Sequence, residues 1–256
     1  MTTYHVLGPL AVRDGGTDHT PRGPKIGKVL ALLLLRAGEV VSVRTLAEEL
    51  WDERPPRTAV TTIRTHVYHL RKALDATEDG AGALRTEPTG YRLSHLPGPF
   101  DAHHFTRATD RGHALLRRDS PAEAATVLRT ALGMWRGSAL AGIDPGPVLT
   151  RHVEHLEELR VRALELRIEA DMALGRHRQL VPELRGLVAA HPLNEWFHAR
   201  LIDALHRSGR RSDALRAYGA VRGLLDRELG LEPSADLQRV QQEVLTSGRT
   251  PVVAAS

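Results

Sequence analysis

A repeat restricts the fold of this chain more than any other feature. The pair Gly175-Arg176 recurs as Gly209-Arg210, 34 residues further on. Each pair follows one helical pattern and precedes another. A period of this length is that of stacked helix pairs, in which no pair buries its apolar face alone and neighbours complete the core. A fainter echo sets Ala124, Leu128 and Trp135 at the spacing of Ala214, Tyr218 and Leu225. A small residue at the first of these positions lets neighbouring helices approach closely.

From residue 101 to about 247 the texture is only helical. The spacing predicts helices over 101–117, 121–135, 147–174, 177–190, 193–208, 211–228 and 234–247. The breakers between them are short, such as "DSP", "AHP", "HRSGRRS" and "GLEPS". This stretch reads as an all-α, tetratricopeptide-like domain, 101–247, with a concave surface suited to protein or peptide. Residues 248–256 carry no pattern and are expected to form a disordered tail.

Residues 1–95 differ. "YHVLGPLAV" alternates like short strands broken at Gly8-Pro9, and Gly15-Gly16 is a turn. "GPKIGKVLALLLLRAGE" reads as a first helix, with Pro24 near its start, Leu30, Leu33 and Leu34 inside, and Gly38 beyond its end. "VVS" is briefly extended. "VRTLAEELW" is a second helix, with Ser42 as N-cap and Leu46, Leu50 and Trp51 inward. After "DERPP" a third helix spans roughly 56–74. "LRTEPTGYRLS" then reads as two strands about a turn at Pro88-Thr89-Gly90, with Tyr91 and Leu93 packing this hairpin onto the third helix. Strands, three helices and a hairpin, in that order, make a winged helix-turn-helix. The fold expected is therefore mainly α with a small β component. "LPGPF", 96–100, is the expected linker, because two prolines and a glycine continue neither element.

The third helix carries the chemistry. Val60, Ile63, Val67, Leu70 and Leu74 cluster within about a quarter turn. The opposite side holds Thr58, Thr61, Thr62, Thr65, Tyr68, His69 and Lys72, with Arg57, Arg64 and Arg71 beside them. From Arg54 to Leu74 there are five lysines and arginines and no acid. A major groove admits one helix and offers base-edge acceptors and donors and the thymine methyl. Hydroxyls and cations suit it, and a carboxylate would be repelled by phosphates. The face is read as a DNA-binding surface, against the plainer alternatives of a solvated face or a protein contact. Arg85 and Arg92 on the hairpin would sit beside an adjacent phosphate or the minor groove.

Other chemistry finds no constellation. The net charge of +4 is mild. There is no cysteine, so disulfides, thiolate metal sites and cysteine nucleophiles are excluded. The start lacks the pattern of a secretion signal, and "VLALLLL", 29–35, is too short to span a bilayer. A cytoplasmic, nucleoid-associated protein with no membrane partner is expected. "GPKIGK" fails as a phosphate loop, because only three residues separate Gly23 from Gly27 and Val29 stands where Ser or Thr must hold magnesium. "HVEH" offers His152 and His155 but no third metal ligand. No nucleophile elbow or dinucleotide fingerprint is present. No catalytic residue, metal or cofactor is expected. Glu157, Glu158 and Glu165 read as ion-pair partners of nearby arginines, and Trp51, Trp135 and Trp196 as packing residues.

Taken together, "GPK", "VVSVRTLAEELW", "HVYHLRKAL", "TGYRL", "ALGMWRGSAL", "LEELRVRALELRIEADMALGRH", "LVAAHPLNE", "ALHRSGRRSDALRAY" and "LGLEPS" resemble the Streptomyces antibiotic regulatory proteins over residues 4–247. The resemblance implies an OmpR-type winged helix followed by a bacterial transcriptional activation domain. It implies an activator of a secondary-metabolite cluster that binds direct repeats near the promoter −35 element, as two protomers side by side. It also implies recruitment of RNA polymerase holoenzyme through its sigma factor. In such domains the loop before the recognition helix touches polymerase, which marks Asp52, Glu53 and Arg54; a plain solvated turn is the alternative. A repressor or architectural DNA binder with the same head, and a tetratricopeptide scaffold whose head binds protein, are the rival functions.

Overall fold

The computed structural model describes residues 1–78, 80–94 and 98–247. Leu96 and Pro97 of the expected linker, and the tail 248–256, lie outside the described residues. The chain forms two compact units. The first comprises Met1–Ala114 and Thr126–Leu164; the second comprises Leu115–Ala125 and the chain from Glu165 onward.

The first unit opens with an antiparallel sheet of β1 (Thr2–His5), β2 (Ala11–Asp14) and β3 (Thr17–Asp18). Then come α1 (Pro24–Leu35), β4 (Val41–Ser42), α2 (Val43–Trp51), α3 (Ala59–Asp75), β5 (Leu84–Glu87) and β6 (Gly90–Leu93). A second sheet has the order β4-β6-β5, so the short extended piece before α2 pairs with the wing: Val41 lies opposite Tyr91. Ser42 caps α2 by accepting the Thr45 amide at 3.0 Å. β3 was not legible, being two residues with no apolar alternation. α3 begins at Ala59 rather than 56, since Pro55 and Pro56 hold the chain out of the helix and Ala59 N bonds Pro56 O at 2.9 Å. β6, which carries Tyr91 and Leu93, lies against α1. Both are buried.

The unit continues through α4 (Asp101–Arg117), α5 (Pro121–Leu132) and the long α6 (Pro147–Ala173), whose ends pass into the second unit. Two buried carboxylates bind its parts together. Asp101, at the start of α4, accepts the amides of Val6 at 2.9 Å and Leu7 at 3.1 Å. Glu49 of α2 is 1% exposed and accepts the amides of Gly146, Val148 and Leu149 at 2.6, 3.1 and 2.8 Å. It thereby supplies the acceptor for the first turn of α6, whose amides have no partner within the helix. Glycine is required at 146, since a Cβ there would lie 2.2 Å from the Glu49 carbonyl oxygen. α5 stops at Leu132, short of the expected 135: Gly133 follows, and Met134 and Trp135 turn back with tighter bonds to Ala131 and Leu132.

The second unit contains α7 (His177–Ala190), α8 (Glu195–Arg207), α9 (Arg211–Leu229) and α10 (Ala235–Thr246), with α8 packed on α7, α9 and α10. α8 starts at 195, not 193, because the Asn194 side chain accepts the amides of Trp196 and Phe197. The repeat is carried down to single hydrogen bonds. Gly175 and Gly209 both have positive φ, 73° and 79°. Arg176 N bonds Asp171 O at 3.0 Å, and Arg210 N bonds Leu205 O at 2.9 Å. A third copy precedes α5, where Ser120 N bonds Leu115 O at 3.0 Å and Asp119 holds φ 55° in place of glycine. Ala124 and Ala214, the echo seen in sequence, are then equivalent, and both are fully buried.

Candidate nucleic-acid interface

α3 buries Ile63, Val67, Leu70 and Leu74 against α1 and α2. Val60 does not join them: it is 45% exposed, a correction to the expected apolar stripe. At 100° per residue it falls at the edge of the buried stripe, while Ala59 beside it is buried.

The other side of α3 faces outward. Arg57, Thr58, Thr61, Arg64, Thr65, Tyr68, His69 and Lys72 are exposed, and Thr62 is half-buried. Tyr68 is 63% exposed and meets the His69 ring edge-on at 5.4 Å. An exposed phenol on a helix otherwise well packed is unusual in a face that only meets water. Thr65 Oγ1 donates to Thr61 O at 3.1 Å, which leaves its lone pairs and methyl outward. Arg71 is placed differently: its Nε donates to Leu84 O at 3.0 Å and its Nη2 to Thr86 Oγ1 at 2.6 Å. That side chain ties α3 to the wing. On the wing, Arg85 is exposed, whereas Arg92 is paired with Glu87 across the turn. Asp52, Glu53 and Arg54 are all exposed between α2 and α3. Asp52 ends α2 with φ 55°, a backbone state that a non-glycine residue adopts at a cost.

Stepping 100° per residue, Thr61, Thr65, Tyr68 and Lys72 form the crest of this face. Arg64 and Arg71 lie on the flank toward the wing. His66, His69 and Ala73 lie on the opposite flank and, with Arg22, Lys25 and Ile26 at the start of α1, line a cleft of about 630 Å³. His66 Nε2 is buried with no hydrogen-bond partner. Burial, then the nearby charges of Lys25 and His69, hold its pKa below the usual histidine value. The Lys25 ammonium lies 4.6 Å from the centre of the Trp51 ring. Trp135 and Trp196 carry Arg160 and Arg200 on their faces in the same way, so all three tryptophans are half-buried stacking partners for a cation.

Sequence reasoning missed Arg22, Lys25 and His66. The signal was present: from His19 to Leu35 there are Arg22, Lys25 and Lys28 and no acid. It also missed Glu49 and Asp101, which look like ordinary surface acids in sequence.

Comparison with known proteins bears on the whole chain. The bacterial transcriptional activator domain profile matches residues 100–245. The profile of the C-terminal region of transcriptional regulatory proteins matches 19–93. Regulatory protein DnrI of Streptomyces peucetius is 42% identical, over 94% of this chain and 91% of its own length. The chain belongs to the Streptomyces antibiotic regulatory protein family. Within that family, regulatory protein AfsR of Streptomyces coelicolor is 40% identical over 94% of this chain, which spans only 24% of that longer relative. The solved structure of Mycobacterium tuberculosis EmbR in complex with a low affinity phosphopeptide superposes with a TM-score of 0.91 at 32% identity, covering 96% of this chain and 65% of EmbR's. The family's members are transcriptional regulators, and the OmpR-type head followed by an activator domain is this chain's architecture. No helix among the described residues is long and apolar enough to cross a membrane.

Proposed function

We propose that this chain is a sequence-specific DNA-binding activator of a secondary-metabolite cluster, with α3 as the helix that enters the major groove. One observation carries the reading. The crest of α3 presents hydroxyls, a phenol and cations without a carboxylate, and the side chains of Arg57, Arg64 and Lys72 make no hydrogen bond or ion pair among the described residues. Cations left unpaired beside exposed donors are what a helix needs to meet phosphates and base edges. Two protomers side by side on direct repeats near the −35 element, and contact with the sigma factor of RNA polymerase through Asp52, Glu53 and Arg54, complete the reading. The exposure of that loop and its strained Asp52 support a contact role over a plain turn.

Arg64→Ala should weaken binding to promoter DNA by about 1–3 kcal/mol if it reads a base. If it holds a phosphate, it should instead weaken all sequences alike. Fluorescence anisotropy on duplexes from the promoters beside its own gene measures this. Unchanged binding in both Arg64→Ala and Tyr68→Ala would remove α3 as the reading helix. Transcription in vitro from the same promoters then separates an activator, which raises output, from a repressor.

A further inference from the structure

A helix in the major groove has a phosphodiester ridge on each side of it, with a groove about 12 Å wide between them. The structure gives α3 two different flanks. Toward the wing, Arg71 is locked onto β5, and Arg64 and Arg85 are free to meet one ridge. The other flank is the cleft between α3 and the start of α1. Its cations, Arg22 and Lys25, are exposed, and no acid lines it. Asp18 feels the charge of Arg22 but makes its hydrogen bonds to the Thr20 amide and hydroxyl, not to the guanidinium. Among the described residues the Arg22 side chain makes no hydrogen bond or ion pair, and the Lys25 ammonium rests on the Trp51 ring. The floor contains Ile26 and Ala73, which offer nothing to a base edge, and His66, whose Nε2 is buried and unpartnered.

We infer that this cleft grips the DNA backbone on the side of the groove away from the wing, with Arg22 and Lys25 as its phosphate contacts. The inference rests on the reading of α3 given above and adds to it a second clamp. Phosphate is the ligand favoured over a base, because a lysine ammonium acts as a point charge and the exposed polar groups at the mouth of the cleft, Arg22 and Lys25, are both cations. It also explains "GPKIGK", a glycine-flanked basic segment that has the wrong spacing to hold a nucleotide.

The test uses the full chain, a promoter duplex and a scrambled duplex of equal length, and anisotropy titrations between about 50 and 200 mM salt, where phosphate contacts dominate the response. Arg22→Ala and Lys25→Gln should each weaken both duplexes by the same factor. Each should also reduce the slope of log affinity against log salt by about one, and the double variant by about two. The ratio between promoter and scrambled duplex should not change. Arg22→Ala removes no hydrogen bond or ion pair among the described residues, so it stands even if Lys25→Gln disturbs Trp51 and lowers the melting temperature. An unchanged slope in Arg22→Ala and in the double variant overturns the inference, and so does a loss confined to the promoter duplex. If wild type binds and Arg64→Ala weakens it while these slopes hold, the clamp alone fails. If wild type binds neither duplex, the reading of α3 fails with it.

Discussion

Arginine is used in two opposite ways in this molecule. On α3 it stands with no acid among its neighbours in sequence, and before α1 only Asp18 feels the charge of Arg22. In the second unit many arginines are instead paired with acids. Arg167, buried, bonds Asp171 and Glu183, and Arg176 bonds the other oxygen of Asp171 at 2.7 Å. Arg207 bonds Asp203 at 2.7 Å, Asp213 takes both Arg210 and Arg216, and Arg239 reaches Asp236 and Glu243. The Asp213 carboxyl is accordingly held below its ordinary pKa, chiefly by the hydrogen bond from Arg210. The difference shows that basic composition does not locate an acid-binding surface. What marks it is a face on which cations and hydroxyls stand together with no carboxylate among them.

The sharpest way to break this contrast is to give α3 what the second unit has. Thr65→Glu puts a carboxylate on the crest, and like-charge repulsion from phosphates should lower DNA affinity by about 3 kcal/mol or more, roughly a hundredfold. An anisotropy titration in which Thr65→Glu binds like wild type would show that the acid-free face is incidental. A smaller effect is expected on the other side. Arg207→Ala removes a half-exposed ion pair, so it should cost about 0.5–1 kcal/mol of stability by urea titration and leave DNA affinity unchanged. A fall in affinity would mean that the second unit's arginines also meet DNA. The smallest effect sharpens the view that this unit is organised by its own repeat. Asp119 occupies a left-handed position that two equivalent turns give to glycine. Asp119→Gly should therefore raise stability by about 0.5 kcal/mol; a loss would show that the Asp119 side chain, not only its backbone angle, matters there.

The fold was largely legible because its signals are local and periodic. The 34-residue recurrence, the N-cap at Ser42 and the turn before Gly90 each state a backbone requirement in a few adjacent residues. The crest of α3 was legible for the same reason, since a helix maps sequence spacing directly onto a face. What escaped depends on distant parts meeting. Glu49 is one acid among "AEEL" until Gly146 arrives against it, and nothing near it in sequence announces that. Arg71 was grouped with the outward cations because periodicity cannot show that β5 lies within its reach. The cleft at Arg22 and Lys25 needs two helices far apart in the chain, so it appeared only as a motif without a use. Val60 erred in the opposite direction: periodicity assigns a face, but not how wide a stripe of it the neighbours cover.

The Glu49 cap has a consequence for anyone wishing to transplant the head. A segment severed at residue 95 would keep Glu49 yet forfeit the three amides that hydrogen-bond it, and would leave the amides of Val6 and Leu7 without Asp101. Chimaeras joined there lose both carboxylate–amide clusters that tie the head to the rest of the first unit. Grafts that carry α4 and the beginning of α6 along with the head do not.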